Sequence, residues 1–237
     1  IMNYLIYLFT IILLAGCNPA KKQKKEANNN ETEWVSLFDG ETLNGWHLYN
    51  GDVPEKFWSV EDGVLKFHPP TEKEDKGRSY NIVTEEEYTN FELSLEWKIS
   101  EGGNSGIFYG VAPDGQSVWA SGPEFQILDD GAFPNLAGTT ETTGAVFGLY
   151  VPEKASPLPA ATGFNATKII VRAGQVEHWL NGSKVADFDM KLDDWVERLA
   201  GSKFASFPLF GRVSKGHIAL QDHGNQVWFR NARIREL

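Results

Sequence analysis

Phe91-Glu92-Leu93-Ser94-Leu95-Glu96-Trp97-Lys98-Ile99 alternates apolar and polar side chains without a break. Successive side chains of an extended chain point to opposite faces, so this stretch predicts a β-strand with one buried and one wet face. Two turn signals sit among similar runs. Asp62-Gly63 separates Phe57–Val60 from Val64–Phe67, and Asn181-Gly182 separates Val176–Leu180 from Lys184–Phe188. Both dipeptides suit the positive φ angles of a type I′ hairpin turn. Further strands are expected at Val35–Phe38, Asn81–Thr84, Ile107–Val111, Glu124–Leu128, Ala145–Val151, Lys168–Ala173, Ile218–Gln221 and Val227–Ile234. Only Asp193–Leu199 reads as helix. Pro152–Pro159 holds three prolines, which remove ladder donors, and is expected as a loop between strands. About a dozen short antiparallel strands in one domain imply an all-β fold, a two-sheet antiparallel jelly-roll sandwich.

At the N-terminus, Tyr4–Leu14 is an apolar run too short to span a bilayer and about as long as the core of a signal peptide. Leu14-Ala15-Gly16-Cys17 closes it, with small residues before the chain's one cysteine. Residues 1–17 are therefore expected to be a lipoprotein signal peptide, with Cys17 as the lipidation site. Each buried lipid methylene contributes roughly 0.8 kcal/mol, so two or three acyl chains anchor durably. Asn18–Glu33, with Lys21, Lys22, Lys24, Lys25 and the Asn28-Asn29-Asn30 triplet, reads as a flexible, solvated tether, leaving 34–237 as the folded domain. The expected location is the cell envelope, with the membrane touched through the lipid alone.

Composition narrows the partners. The chain carries 22 basic and 32 acidic residues, a net charge of −10, which argues against nucleic acid. With Cys17 lipidated no disulfide can form within the chain, so an exported fold must rest on its core. Eight Trp, fifteen Phe and seven Tyr supply that core, together with flat faces on which sugar rings stack. No Walker loop or GxGxxG occurs, so no nucleotide cofactor is expected. No HExxH occurs, and Asp129, Asp130 and Asp222 lack EF-hand spacing, so no metal is assigned; a structural calcium is the expected use of any ion bound.

Strand faces group the polar residues. Glu124 and Gln126 point one way while Phe125 and Ile127 point the other. Glu96 lies on the polar face of its strand, His178 alternates with Glu177 and Trp179, and Gln221 and His223 share a face opposite Leu220 and Asp222. The candidate constellation is Glu124, Gln126, Asp129, His223 and Arg230, with Asn104 and Ser105 from a glycine-rich turn. Each has a plainer structural reading. Arg230 can pair with a carboxylate inside the sandwich, Asn104 and Ser105 can satisfy turn backbone, Asp129-Asp130-Gly131 can end a strand, and His223 can cap a loop.

Leu37-Phe38-Asp39-Gly40 with Leu43-Asn44-Gly45-Trp46, Gly102-Gly103-Asn104-Ser105-Gly106-Ile107, Glu124-Phe125-Gln126-Ile127-Leu128-Asp129, His178-Trp179-Leu180-Asn181-Gly182, and Gln221-Asp222-His223-Gly224 with Phe229-Arg230-Asn231 follow one another in this chain. Together they resemble the 3-keto-disaccharide hydrolase family, from about Val35 to Leu237. The resemblance implies a concanavalin-like jelly roll that cleaves 3-keto glycosides in the envelope of Gram-negative bacteria, with a carbohydrate as its partner. Gly163-Phe164-Asn165 departs from the family's usual Gly-x-Trp-Asn, and the Pro152–Pro159 stretch is a second difference, one that bears on substrate choice.

The chemistry so implied makes definite demands. A ketone at C3 acidifies the C2 hydrogen, so a base can remove it and the C1 oxygen can leave by β-elimination, with water adding back. The site then needs a base, a holder for the enolate oxygen and an acid for the leaving oxygen. Glu124 or His223 is the expected base, Asn104 or Arg230 the enolate holder, and Asp129 the acid. Ser105, Gln126, His178, Gln221 and Tyr109 are expected to bind substrate. Two alternatives stand beside this reading. One is a surface glycan-binding module that stacks sugar on Trp119, Tyr109 and Trp179. The other is an ordinary β-glucan hydrolase, whose Glu-x-Asp-x-x-Glu motif is absent although Glu124-x-Gln126-x-x-Asp129 has similar spacing.

Overall fold

In the computed structural model, which describes residue 1 and residues 32–51, 56–72 and 78–237, the alternating stretch at 91–99 is the long strand its pattern demands. The expected signal segment, the lipidation site at Cys17 and the tether up to residue 31 lie outside the described residues. Thirteen strands are described. In chain order they are β1 (Val35–Ser36), β2 (Trp46–Leu48), β3 (Trp58–Glu61), β4 (Val64–Phe67), β5 (Ile82–Thr84), β6 (Phe91–Ile99) and β7 (Asn104–Val111). There follow β8 (Glu124–Leu128), β9 (Asn165–Arg172), β10 (Gln175–Leu180), β11 (Ser183–Asp189), the helix α1 (Asp193–Ala200), β12 (His217–Leu220) and β13 (Val227–Glu236).

The strands form two antiparallel sheets. One runs β11-β10-β9-β6-β13-β4-β3, with β1 also paired to β13; the other runs β2-β5-β12-β7-β8. Their facing sides share one core in which Trp58, Leu65, Phe67, Trp97, Tyr109, Phe125 and Phe229 are almost wholly buried. Fully burying one such large apolar side chain is worth roughly 1.5–3 kcal/mol. Both hairpin turns form as their dipeptides require, with φ of 52° and 75° at Asp62 and Gly63 and 48° and 83° at Asn181 and Gly182.

Three local expectations change. Asn104 and Ser105 begin β7 rather than lying in the glycine turn before it. Ala145–Val151 is no strand: Gly144 and Gly148, at φ 87° and 72°, bend the segment so that only isolated bridges form. Its backbone still bonds the edge of β8, through Gly144 N to Gln126 O, Gln126 N to Ala145 O and Phe147 N to Glu124 O. Trp46–Leu48 is a strand that its own short sequence does not announce; it is held by pairing with β5.

Candidate active site

The five-stranded sheet turns Ile107, Tyr109, Phe125, Ile127, Ile218 and Leu220 into the core, so alternation sends their neighbours to its other face. On that face lies a cavity of about 970 Å³. Its floor takes Asn104 from β7, Glu124 and Gln126 from β8, and Gln221 at the end of β12. Segments 117–119 and 203–207 raise an aromatic wall from Trp119, Phe204 and Phe207, joined by Phe147.

Glu124 is 6% exposed. Burial pushes its carboxyl up to about 8, against a smaller opposing pull from the Lys203 charge. Room for this side chain comes from Gly106: a Cβ there would stand 2.1 Å from Glu124 Oε1 and 2.9 Å from its Cγ. The carboxyl therefore lies flat across a glycine. Lys203 holds its ammonium 4.1 Å from the Phe147 ring centroid and 5.2 Å from that of Phe204, and it lines the same cavity. Gln126 Nε2 donates to Asn104 Oδ1 over a long 3.4 Å. Gln221 Oε1 is buried without a hydrogen-bond partner among the described residues, an acceptor ready for a ligand hydroxyl.

Asp222 also borders the cavity, but its oxygens are spent. Oδ2 accepts from Tyr80 N at 2.5 Å and Oδ1 from Gly224 N at 2.9 Å. Burial raises its pKa in spite of those bonds. Its own N–H donates to Asn81 Oδ1 at 2.9 Å, so the whole 221–224 turn is pinned to the segment before β5. That turn places His223, exposed, at the cavity's edge.

Of the residues expected from sequence, the fold thus brings Glu124, Gln126, Asn104, Gln221 and His223 around one cavity. The others lie elsewhere. Asp129 ends β8 in a turn, its Oδ2 accepting from Gly102 N at 2.8 Å and its carbonyl from Ala132 N. Ser105 is fully buried, donating to Gln221 O at 2.8 Å, because alternation along β7 points it away from Asn104 and Gly106. Tyr109 and His178 meet between the sheets, hydroxyl to Nε2 at 3.0 Å, with His178 Nδ1 3.3 Å from Gly144 O. Burial drives His178 down to about 4 and Tyr109 well above its ordinary value. Arg230 is on the outward face of β13 in the other sheet, where it donates to Glu96 at 2.7 Å and lies over Phe164. Inward neighbours such as Phe229 fill the core, so Arg230 and the cavity are separated by both sheets.

Sequence reading missed Lys203, Asn81, Phe147, Phe204 and Phe207, and named Trp119 only as a stacking residue of the glycan-binding alternative. Phe204 and Phe207 belong to a segment without strand alternation, and nothing local says that it folds over β8. Among the described residues, no three His, Cys, Asp or Glu side chains converge as cation ligands. Asp130 Oδ1 accepts from Thr143, as Asp129 and Asp222 accept from backbone.

The 3-keto-alpha-glucoside-1,2-lyase-like domain matches residues 33–235. A Bacteroides thetaiotaomicron protein named 3-keto-disaccharide hydrolase is 36% identical, over 86% of this chain and 78% of that protein. A crystal structure from Parabacteroides distasonis, provisionally described as a glycosyl hydrolase, is 35% identical with a TM-score of 0.76, covering 86% of this chain and 94% of that one. The Rhodothermus marinus laminarinase, 12% identical with a TM-score of 0.54 over 87% of this chain and 98% of its own, shares the fold alone. By sequence match over nearly the whole sandwich, the chain belongs to the 3-keto-alpha-glucoside-1,2-lyase-like domain family.

Proposed function

We propose that this protein cleaves the glycosidic bond of 3-keto glycosides, 3-keto-disaccharides among them, by β-elimination followed by hydration. The observation that carries this reading is Glu124, a buried carboxyl of raised proton affinity beside a cation in a cavity lined with amides. The family's description and the names of its relatives support the substrate class. Ionised Glu124 takes the C2 proton, and the electron pair spreads onto the C3 oxygen, which the Lys203 ammonium holds as it becomes an enolate. The enolate collapses, C1=C2 forms and the C1–O bond breaks. Among the described residues lining the cavity, Glu124 is the one carboxyl not spent on backbone donors, so it returns its proton to the leaving oxygen. Water then adds across the double bond, hydroxyl to C1 and hydrogen to C2.

The alternatives fit the geometry less well. Hydrolysis by two carboxylates needs a second free one, and Asp222 is committed to Tyr80 and Gly224. A sugar platform of Trp119, Tyr109 and Trp179 has no common surface: Tyr109 is in the core, and Trp179 lies under Lys168 on the other sheet.

Incubating the purified protein with 3-keto-trehalose is expected to release free sugar through a 1,2-unsaturated intermediate. Glu124→Gln is expected to lower kcat by 10²–10⁴-fold while retaining ligand binding. No turnover of any 3-keto glycoside would sink the proposal, and full activity in Glu124→Gln would move the base to His223. The same reading puts the protein in the envelope on a Cys17 lipid: a clickable fatty acid should label the wild type and not Cys17→Ser. Equal labelling of both would refute the anchor.

A further inference from the structure

We infer that Trp119 and Phe207 form a leaving-group subsite that takes a flat aromatic aglycone; the inference rests on the 3-keto glycoside reading. Trp119 stands apart from the other seven tryptophans. Trp46, Trp58, Trp97 and Trp195 are buried, while Trp34, Trp179 and Trp228 each have a Lys or Arg over the ring. Trp119 is 40% exposed, and among the described residues no cation covers it. Its ring meets Phe207 edge to face, with centroids 5.0 Å apart and planes at 88°. The pair makes a right-angled corner on the cavity's edge, and its footing is firm. Gly211 N donates to Ser121 O at 2.8 Å, tying the two loops together. Behind them Phe204 stacks on Phe210 at 4.1 Å, and Phe210 lies parallel to Trp195.

The two sides of the cavity suit two kinds of ligand surface. The strand floor offers Asn104, Gln126 and the Oε1 of Gln221, unpartnered among the described residues, to sugar hydroxyls. The corner offers carbon. A second sugar can lay its C–H face on one ring, but its rim then meets the perpendicular ring, which strips water from the hydroxyls there without replacing the bonds. An aromatic ring brings none to strip, and a right-angled corner lets it stack on one ring while meeting the other by its edge, the two arrangements ring quadrupoles favour.

The test compares kcat/KM for benzyl 3-keto-glucoside, methyl 3-keto-glucoside and 3-keto-trehalose, the first two having leaving alcohols of similar acidity. The benzyl-to-methyl ratio is expected to be about tenfold, carried by KM. It should fall to about one in Trp119→Ala and be largely restored in Trp119→Phe. A ratio near one in the wild type, or one that survives Trp119→Ala, would overturn the aromatic subsite. So would 3-keto-trehalose outrunning the benzyl compound and losing the same factor in the variant, which would make the corner a sugar site. Absence of turnover on all three would instead overturn the 3-keto reading beneath it.

Discussion

Glu124 owes its proton affinity to an atom that is missing from its neighbour. With no Cβ on Gly106, the carboxyl lies against the sheet and out of water; a methyl there would overlap Oε1. As the base, Glu124 must be ionised, so kcat/KM is expected to rise with pH through a midpoint near 8 and level off above it. Gly106→Ala pushes the carboxyl toward solvent and its pKa toward the ordinary 4.5. The rising limb should then move down by more than one pH unit, with a lower plateau, while the sheet register persists. A pH–rate profile of both proteins checks this. A limb that stays in place would assign it to another group, and a rate that falls through pH 8 would make Glu124 an acid. Little of this is legible from residue 106 itself, because a glycine within a strand says only that something approaches closely.

At the scale of elements, local rules were sufficient for the hairpins. Asn181 illustrates why: it adopts φ 48°, its Nδ2 donates to Asn165 Oδ1 at 2.8 Å and Ser156 O at 3.1 Å, and its Oδ1 accepts from Ala166 N at 2.9 Å. Asn181→Ala loses these bonds and keeps the left-handed strain, a cost of roughly 3 kcal/mol. Urea unfolding should report that loss, and a smaller one in Asn181→Gly. Activity per folded molecule is expected to be unchanged, since this turn does not line the cavity; a drop would tie the outer sheet to the site. The 144–151 segment shows where element-level reading fails. Its apolar residues resemble a strand, yet two left-handed glycines break the ladder after single bridges.

Across the whole molecule, two of the buried titrating groups, His178 and Glu124, oppose each other in their effects on stability. His178 falls to about 4 from an ordinary 6.5, so it contributes stability above pH 6.5 that is lost as pH falls toward 4. Glu124 rises to about 8 from 4.5, so its contribution is complete below pH 4.5 and is lost as pH rises to 8. Each slope is about 1.4 kcal/mol per pH unit. They cancel between 4.5 and 6.5, leaving a decline from 6.5 to 8. Glu124→Gln should therefore stabilise the protein more at pH 8.5 than at pH 5, measured by urea denaturation. An equal effect at both pH values would mean that the carboxyl is not desolvated.

The sequence alone determined most of the strands, where two hairpins turn, and that the product is a two-sheet sandwich, because alternation and turn chemistry act between neighbouring residues. It also placed Glu124 and Gln126 on one face. Only the tertiary structure decided which faces meet. Arg230 and Asn104 both sit on polar strand faces, yet one looks out from the eight-stranded sheet and the other into the cavity. Lys203 and Trp119 reach Glu124's cavity through loops without periodicity. Alternation gives a side chain one of two directions; what lies in that direction depends on how sheets stack and loops fold over them, which no local pattern encodes.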